Sequence, residues 1–526
     1  MESVIISSIY SFAVRLLYYY RQSFVHRILS SITGSIKSWF SGSSIWGFIS
    51  SNEKSSGFFE NSLIIKPFQK ILDFIVFIVR WMHDILDQPV KNSVLVSVAS
   101  ESIVGKFCKK AIGHFGIVIG LFILIQTVIP HDFGNAVLAF SSLNLAWHNQ
   151  YGLLLTIAMA FLYLIKVSGD KRYGLSLKRM DFALLLFIGI VFLSSITSIT
   201  LGSSIRVFIF NSMSFIVVFV VANAIKTEKE LDRICYYIIA AISFASLLGL
   251  WQWYRHVPVD PRLVDVNFSS GEGRIFSTME NPNNYAEYLV MTIPFYAAAF
   301  FNTANKKVRV LIAALSTLPL LNLVLTISRS SWMGFAVAIL VFVFFKKPKL
   351  IPLILIAGLL AIPFMPAIIT NRLATIGKDS SGLYRFKIWE PSLRMLSDYW
   401  HSGIGLGSGP FVKLISRYSS LPTPPPHAHM LLLEIWLETG IAGILSFLWF
   451  ITRMVKKGFK NAFVIKKEFH NNIIAACVSA IAGIFVAGAF EYVWFYPRVL
   501  TMFWVVAGIL LASVNMLRIA PSYPSK

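Results

Sequence analysis

The first residues that could perform chemistry lie between Gly273 and Asn284. Arg274 is followed by Asn281-Pro282-Asn283, a pattern typical of a turn and a helix start, in which Asn283 could cap the free N–H groups. A helix N-terminus beside an arginine favours an anion. On local evidence alone, an ordinary capped helix with a solvated arginine explains the pattern equally well.

A second polar group interrupts two apolar stretches at Ser328-Arg329-Ser330-Ser331. The guanidinium of Arg329, flanked by serine hydroxyls, offers the planar set of donors that phosphate recognition uses. More often, a lone arginine next to a membrane span has no binding role and only extends its side chain so that the guanidinium reaches water. Both readings stay open at this point.

The third group follows a proline run, where His427 and His429 precede an apolar segment. A histidine can take a proton from a hydroxyl near neutral pH, which is the chemistry of activating a sugar acceptor. We expect His429 to begin a helix and to share a face with Leu433 and Gly440. A metal is not expected, because two histidines two positions apart do not share a helical face and no other His or Cys cluster completes a site.

The chain around these groups has the composition of a membrane protein. Its 526 residues are 56% hydrophobic and 14% charged, with a mean hydropathy of +0.68, which excludes an ordinary soluble, disordered or disulfide-rich protein. A span needs about 20 mostly apolar residues. We predict an all-α, polytopic fold with about 12 transmembrane helices, near 113–130, 152–167, 181–200, 206–225, 233–253, 284–301, 308–326, 331–346, 349–367, 429–452, 471–490 and 499–516.

The net charge of +22 is read as an orientation signal and not as a nucleic-acid site. Alternate short connections carry basic clusters such as Lys171-Arg172 and Lys346-Lys347, whereas the connections between them hold few basic residues. Because cytoplasmic loops collect Lys and Arg, both termini are predicted to be cytoplasmic. Residues 368–428 then form a large extracytoplasmic loop, which includes a glycine-rich turn at 403–409.

Residues 1–110 form a distinct Ser-rich region before a polytopic domain at 111–520. Residues 67–87 are predicted to be an amphipathic helix at the inner membrane surface, although a helix packed on the cytoplasmic face is an equal alternative. No signal peptide is expected. Residues 131–151 are apolar enough for a re-entrant segment. Few ionisable residues lie within the spans, which argues against a proton-coupled pump and for chemistry at the outer boundary.

Taken together, the motifs of residues 180–455 resemble those of the O-antigen ligase and polymerase family of bacterial membrane glycosyltransferases. The resemblance rests on Arg274 with Asn281-Pro282-Asn283, Ser328-Arg329, a loop with Arg385, Trp389, Gly403, Gly405, Gly407 and Phe411, and a final pattern with His429, Leu433, Glu438 and Gly440. Met430 stands where the family has Asn.

The resemblance implies a GT-C-like, inverting, metal-independent and cofactor-free enzyme of the bacterial inner or plasma membrane. Such an enzyme transfers a glycan from undecaprenyl pyrophosphate to an acceptor hydroxyl on the extracytoplasmic face, for cell-surface polysaccharide. Arg274 and Arg329 would stabilise the leaving pyrophosphate, His429 would activate the hydroxyl, and Glu438 would be structural. The expected substrate-binding residues are Asn281, Asn283, Ser328, Arg385, Trp389 and His427.

Several functions remain open from the sequence. The acceptor could be a lipid, a second lipid-linked glycan or a protein, so the enzyme could be a ligase, a polymerase or a protein O-oligosaccharyltransferase. The alternative of another class is a membrane solute transporter of the bicarbonate type, and a scaffold protein is a third.

Overall fold

The computed structural model of the chain describes residues 62, 65–130, 147–260, 273–279, 281–361, 363, 370, 374, 380–419, 421–464 and 467–519. Their regular structure is helical, with no β-strand in these ranges. The Ser-rich stretches before residue 62 and most of the re-entrant candidate at 131–151 lie outside the described residues.

The α-helices follow one another along the chain. In order they are α1 Ile65–Asn92, α2 Val94–Glu101, α3 Ile103–Gly113, α4 Gly116–Val128, α5 Trp147–Gly169, α6 Phe182–Ile196, α7 Leu201–Ala224, α8 Glu228–Tyr254, α9 Pro282–Thr292, α10 Pro294–Asn302, α11 Lys306–Leu325, α12 Arg329–Lys346, α13 Ile351–Ala361, α14 Ser380–Tyr399, α15 Ser408–Ile415, α16 Leu431–Val464, α17 Glu468–Gly488 and α18 Pro497–Ile519.

Every predicted span coincides with one of these helices or with a broken pair. Among the described residues, α5, α7, α8, α11, α12, α16, α17 and α18 are each long and apolar enough to cross a membrane, and α3 with α4 forms a further candidate bent by 108°. The helices α6 and α13 are apolar but shorter. The segment α9–α10 is broken at Pro294, whose ring cannot continue the preceding helix. The chain is therefore a multi-pass membrane protein, and the total of 12 spans stays a prediction.

Hydrogen bonds link residues at the predicted inner ends of different helices to one another, and they link residues at the predicted outer ends in the same way. Lys346 donates to the Asn472 side chain at 2.6 Å, and Asn472 donates to Asn302 at 2.7 Å, all at predicted inner ends. Arg498 donates to the Thr278 carbonyl oxygen at 3.2 Å, both at predicted outer ends. This grouping supports the alternation derived from charge. Which end faces the cytoplasm remains the prediction of the positive-inside rule.

The two C-terminal helices form the centre of the bundle. The membrane-spanning windows of α17 and α18 are 78% and 89% buried, against 17% for α12. Gly334 of α12 and Gly483 of α17 let the two backbones touch, since a Cβ at Gly334 would lie 2.5 Å from the Gly483 carbonyl oxygen. Small residues at such crossings permit the close packing that holds helices together in lipid, where burial from water provides little force.

A buried ion cluster ties the predicted inner ends of α6 and α16 together. The Asp181 carboxylate caps α6 by accepting from the Ala183 N–H at 3.0 Å, and it also accepts from Arg453 Nε at 3.0 Å and from Lys457 Nζ. The buried carboxylate thus lies against two cationic side chains, which favour its charged form. Asp181 therefore stays ionised in the fold.

The predicted amphipathic helix at 67–87 lies within the longer helix α1. Gln69 and Arg80 attach it to the connection after α5, donating at 2.9 Å to the carbonyl oxygens of Leu175 and Tyr173. Large apolar side chains such as Phe74 and Trp81 stay exposed on it, at 61% and 56%. Its position at the membrane surface remains a prediction.

Candidate functional site

A cavity of about 930 Å³ lies at the predicted outer end of the bundle. Its walls come from α5, α7, the start of α9, α14, the start of α16 and the connection between α17 and α18. Of the predicted site residues, it is lined by Asn281, Asn283, Arg385, His427 and His429. It is also lined by Glu434, Glu438 and Glu491.

His429 lies just before α16 and not within it. Its φ is +49°, a left-handed conformation, and the helix begins two residues later at Leu431. The prediction that His429 shares a helical face with Leu433 and Gly440 is therefore wrong. Inside the helix, Glu434 accepts the Ala428 N–H at 2.6 Å, and this bond fixes the chain immediately before His429.

The His429 ring is held by a carboxylate that the sequence reasoning missed. His429 Nδ1 donates to Glu491 Oε1 at 2.6 Å, and Arg385 Nη2 donates to Glu491 Oε2 at 3.1 Å. Glu491 follows α17, 62 residues after His429. The available signal was its position: a carboxylate directly after a predicted span, at the end predicted to face outward.

Burial alone would raise the pKa of Glu491, but His429, by its charge and hydrogen bond, and the charge of Arg385 outweigh it and hold the pKa well below its usual range. Glu491 is thus an ionised carboxylate between a guanidinium and an imidazole.

His427 is the buried neighbour of His429. The two rings lie 4.1 Å apart, and Phe495 lies 4.6 Å from His427 on another side. His427 Nδ1 accepts the backbone N–H of His429 at 3.2 Å. Burial, followed by the neighbouring His429 imidazole, lowers the pKa of His427 to about 3. His427 is therefore neutral near pH 7, and it holds the backbone of His429.

Arg274 stands directly behind the cavity wall. Its Nη2 donates to Asn283 Oδ1 at 3.0 Å, and its Nε donates to the Thr326 carbonyl oxygen at 3.0 Å. The expectation that Asn283 caps the helix is wrong: α9 begins at Pro282, and Asn281 is the cap, accepting the Asn283 N–H at 2.8 Å. Proline suits the first helical position, so the cap lies two residues earlier than expected. The Asn283 side chain is then available to Arg274.

Arg329 is the first residue of α12, beside the segment that Arg274 contacts. It is half-buried, and Ser328 before it is buried, with its hydroxyl 3.2 Å from that of Ser331. Neither Arg274 nor Arg329 is among the residues that line the cavity, and neither is Ser328. Arg274 is connected to the cavity through Asn283, which does line it.

Two features of the outer loop have packing roles. Trp389 lies against Phe386 and Phe490, with ring centroids 5.2 Å and 6.4 Å away, and it is not among the cavity-lining residues. In the glycine-rich turn, the Gly407 N–H donates to Glu438 Oε1 at 2.7 Å. Because this N–H already donates to a carboxylate, the turn has a structural role and is not a phosphate-binding loop.

Backbone strain is concentrated around the site. Non-glycine residues with positive φ among the described residues are His256, Ser277, Ile327 and His429. Ser277 follows Arg274 and Ile327 precedes Arg329, so three of the four lie close to predicted catalytic residues. For a β-branched residue such as Ile327 this conformation is a genuine outlier. Such strain persists where the surrounding structure enforces it, which is common at functional sites.

The three groups His427, His429 and Glu491 place one potential ligand atom each within 4.8 Å of one another. The sequence argument against a metal considered the histidines alone. In the structure, however, His427 Nδ1 already accepts an N–H and Glu491 is paired with Arg385. In the part of the chain that the structure describes, this group of possible ligands has three members, which is the number of protein ligands in a catalytic zinc site with water in the fourth position.

Residues 313–448 match the family model described as O-antigen ligase. The resemblance to the O-antigen ligase family is confirmed. The matched region contains Arg329, Arg385, His427 and His429, whereas Arg274 lies before it. The Teichuronic acid biosynthesis protein TuaE of Bacillus subtilis (strain 168) is 24% identical over 383 residues, covering 68% of this chain and 75% of that protein. At the level of the family, these similarities support a glycan transferase of polysaccharide biosynthesis.

Proposed function

We propose that this protein transfers a glycan from undecaprenyl pyrophosphate to an acceptor hydroxyl at the extracytoplasmic membrane face, in the synthesis of a cell-surface polysaccharide. The observation that carries the proposal is the cavity of about 930 Å³, whose wall contains His429 together with Asn283, the partner of Arg274. A candidate base and a candidate anion site thus meet in one space at the predicted outer end.

The donor would lie with its pyrophosphate towards the N-terminus of α9. Asn281 and Asn283 line the cavity there, and Arg274 adds a positive charge directly behind them. A helix N-terminus and an arginine both stabilise the negative charge that develops on the leaving pyrophosphate. Arg329, at the N-terminus of α12, would add a second such charge.

The acceptor hydroxyl would approach from the side of His429. Its oxygen forms the new bond to the anomeric carbon while the bond from that carbon to the pyrophosphate oxygen breaks. The hydroxyl proton passes to His429, and undecaprenyl pyrophosphate leaves with the electron pair of the broken bond. Displacement from the opposite face inverts the anomeric configuration, and no metal is required for these steps.

The cavity geometry favours transfer over transport. On α7 the lining residues run from Val207 to Ser214, so the cavity extends from the predicted outer part of that helix to its middle. A solute transporter needs a polar route that continues to the opposite face. Uptake of bicarbonate by the purified protein in liposomes would favour the transporter instead.

The test is reconstitution in nanodiscs with a synthetic undecaprenyl-pyrophosphate disaccharide. A second copy of that donor, a lipid-linked core sugar and a serine-containing peptide serve as separate acceptors, which distinguish polymerase, ligase and protein glycosylation. We expect wild-type product with one acceptor, and at least a 100-fold lower rate for His429→Ala and Arg274→Ala. Equal rates for wild type and both variants would refute the proposal.

A further inference from the structure

Both carboxylate oxygens of Glu491 are held by hydrogen bonds from other residues. This carboxylate lies in the connection between α17 and α18, and its side chain is only 14% exposed. Oε1 accepts from His429 Nδ1 at 2.6 Å and from the Tyr492 N–H at 3.2 Å, and Oε2 accepts from Arg385 Nη2 at 3.1 Å. Both oxygens are therefore oriented by donors that come from different parts of the chain.

We propose that Glu491 is the positioning residue of His429, which it holds in the tautomer with the proton on Nδ1. This inference rests on the proposed function and deepens it by completing the base. An imidazole whose Nδ1–H is donated to a carboxylate leaves Nε2 as its acceptor nitrogen. Nε2 is then the atom that takes the proton of the acceptor hydroxyl.

The surroundings leave the ring little freedom to turn over. Tyr384 lies edge-on to His429 at 6.2 Å between ring centroids, and His427 lies on another side at 4.1 Å. If the ring flipped by 180° about the Cβ–Cγ bond, Cδ2 would take the place of Nδ1 at the carboxylate, and Cε1 would lie where the base is needed. The bond of 2.6 Å to Glu491 opposes that flip.

Arg385 is the second part of this arrangement. It belongs to α14 in the outer loop, and its bond to Glu491 joins that loop to the connection after α17. Because Arg385 fixes the oxygen that His429 does not use, it sets the rotation of the carboxylate plane. Its predicted role in substrate binding is compatible with this, since Arg385 also lines the cavity.

Glu491→Gln is the decisive variant, because glutamine keeps the shape and loses the charge that selects the tautomer. We expect kcat for glycan transfer to fall by about 100-fold or more, as when the carboxylate of a catalytic triad is neutralised, with KM for the donor within a few-fold of wild type. Glu491→Asp keeps the charge and should recover part of the rate. Glu390→Gln is the matched control, since Glu390 lies on α14 with its side chain 75% exposed.

Two further measurements separate positioning from simple loss of structure. In a His429→Ala background, Glu491→Gln should lower the residual rate no further, because residues that act as a unit are not additive. In the 15N NMR spectrum of histidine-labelled protein, the His429 signal, assigned by its loss in His429→Ala, should show an unprotonated Nε2 that changes in Glu491→Gln.

Each outcome decides between the inference and the proposed function. A wild-type rate for Glu491→Gln, or an equal further loss in the His429→Ala background, overturns the positioning role and leaves the proposed function in place. Glycan transfer that is indifferent to His429→Ala overturns the proposed function. A rate abolished by EDTA and restored by Zn²⁺ would show that His427, His429 and Glu491 hold a cation, and would overturn the positioning role.

Discussion

Arg274→Lys tests whether geometry or charge alone matters at the predicted pyrophosphate site. The guanidinium of Arg274 joins two walls, with Nη2 on Asn283 of α9 and Nε on the carbonyl oxygen of Thr326 at the end of α11, both at 3.0 Å. Lysine keeps the positive charge but carries a single ammonium group. It cannot reproduce two donors with fixed separation.

The expected size follows from one lost hydrogen bond. A hydrogen bond to a charged group contributes about 1.5–3 kcal/mol, so an ammonium group that is not held in place and loses one such bond to the leaving pyrophosphate should lower the transfer rate by about 10-fold to 150-fold. Arg274→Ala removes both bonds and the charge and should lower the rate further. The assay is initial-rate transfer from the undecaprenyl-pyrophosphate disaccharide in nanodiscs, with Arg394→Lys as the matched control on an arginine that is 59% exposed.

A geometric role for Arg274 would be refuted if Arg274→Lys stayed within about 3-fold of wild type while Arg274→Ala was inactive, since the cost of one charge-assisted bond exceeds that factor. In that case the positive charge alone would suffice. A loss of folded protein in both variants, seen by size-exclusion chromatography, would instead assign Arg274 to the packing of α9 against α11.

Two other predictions concern stability. Asp181→Asn should lower the free energy of unfolding by about 3–5 kcal/mol, because it removes one partner of the buried ion pairs that Asp181 forms with Arg453 and Lys457. An unchanged thermal midpoint in detergent would contradict this. His427 is buried with a pKa of about 3, so between about pH 6.5 and pH 5 only the unfolded state takes up its proton. The free energy of unfolding should fall by about 2 kcal/mol as the pH drops across that interval. The His427→Gln variant should lack this pH dependence. Identical pH profiles for the wild type and the variant would show that His427 is not a buried neutral group.

The spans could be predicted from the sequence because the lipid imposes a simple condition on it. A helix that crosses the hydrocarbon core needs about 20 apolar residues, and the backbone has no other way to satisfy its hydrogen bonds there. The predicted span at 471–490 therefore coincides closely with α17, Glu468–Gly488. The same condition says little about shorter or broken helices, and the segment around Pro294 illustrates this.

The site was predictable in its parts but not in its connections. Arg274, Arg329 and His429 stand out because each is polar beside an apolar helix. Glu491 does not stand out, because its importance lies in a contact with a residue 62 positions away on another connection. The position of His429 was also misjudged, since its positive φ depends on bonds from His427 and within the turn that periodicity does not represent.

The distribution of strain supports the proposal that the chemistry lies at the predicted outer end of the bundle. At the predicted inner ends, the Asp181 cluster and the packing of α17 and α18 hold the helices together. At the opposite end, Ser277, Ile327 and His429 adopt left-handed conformations that cost of order 1–3 kcal/mol each. Only a bundle already fixed elsewhere can hold three such residues. The free energy of these left-handed conformations is then offset by folding, before substrate binds. The groups proposed to react would therefore need little reorganisation during transfer.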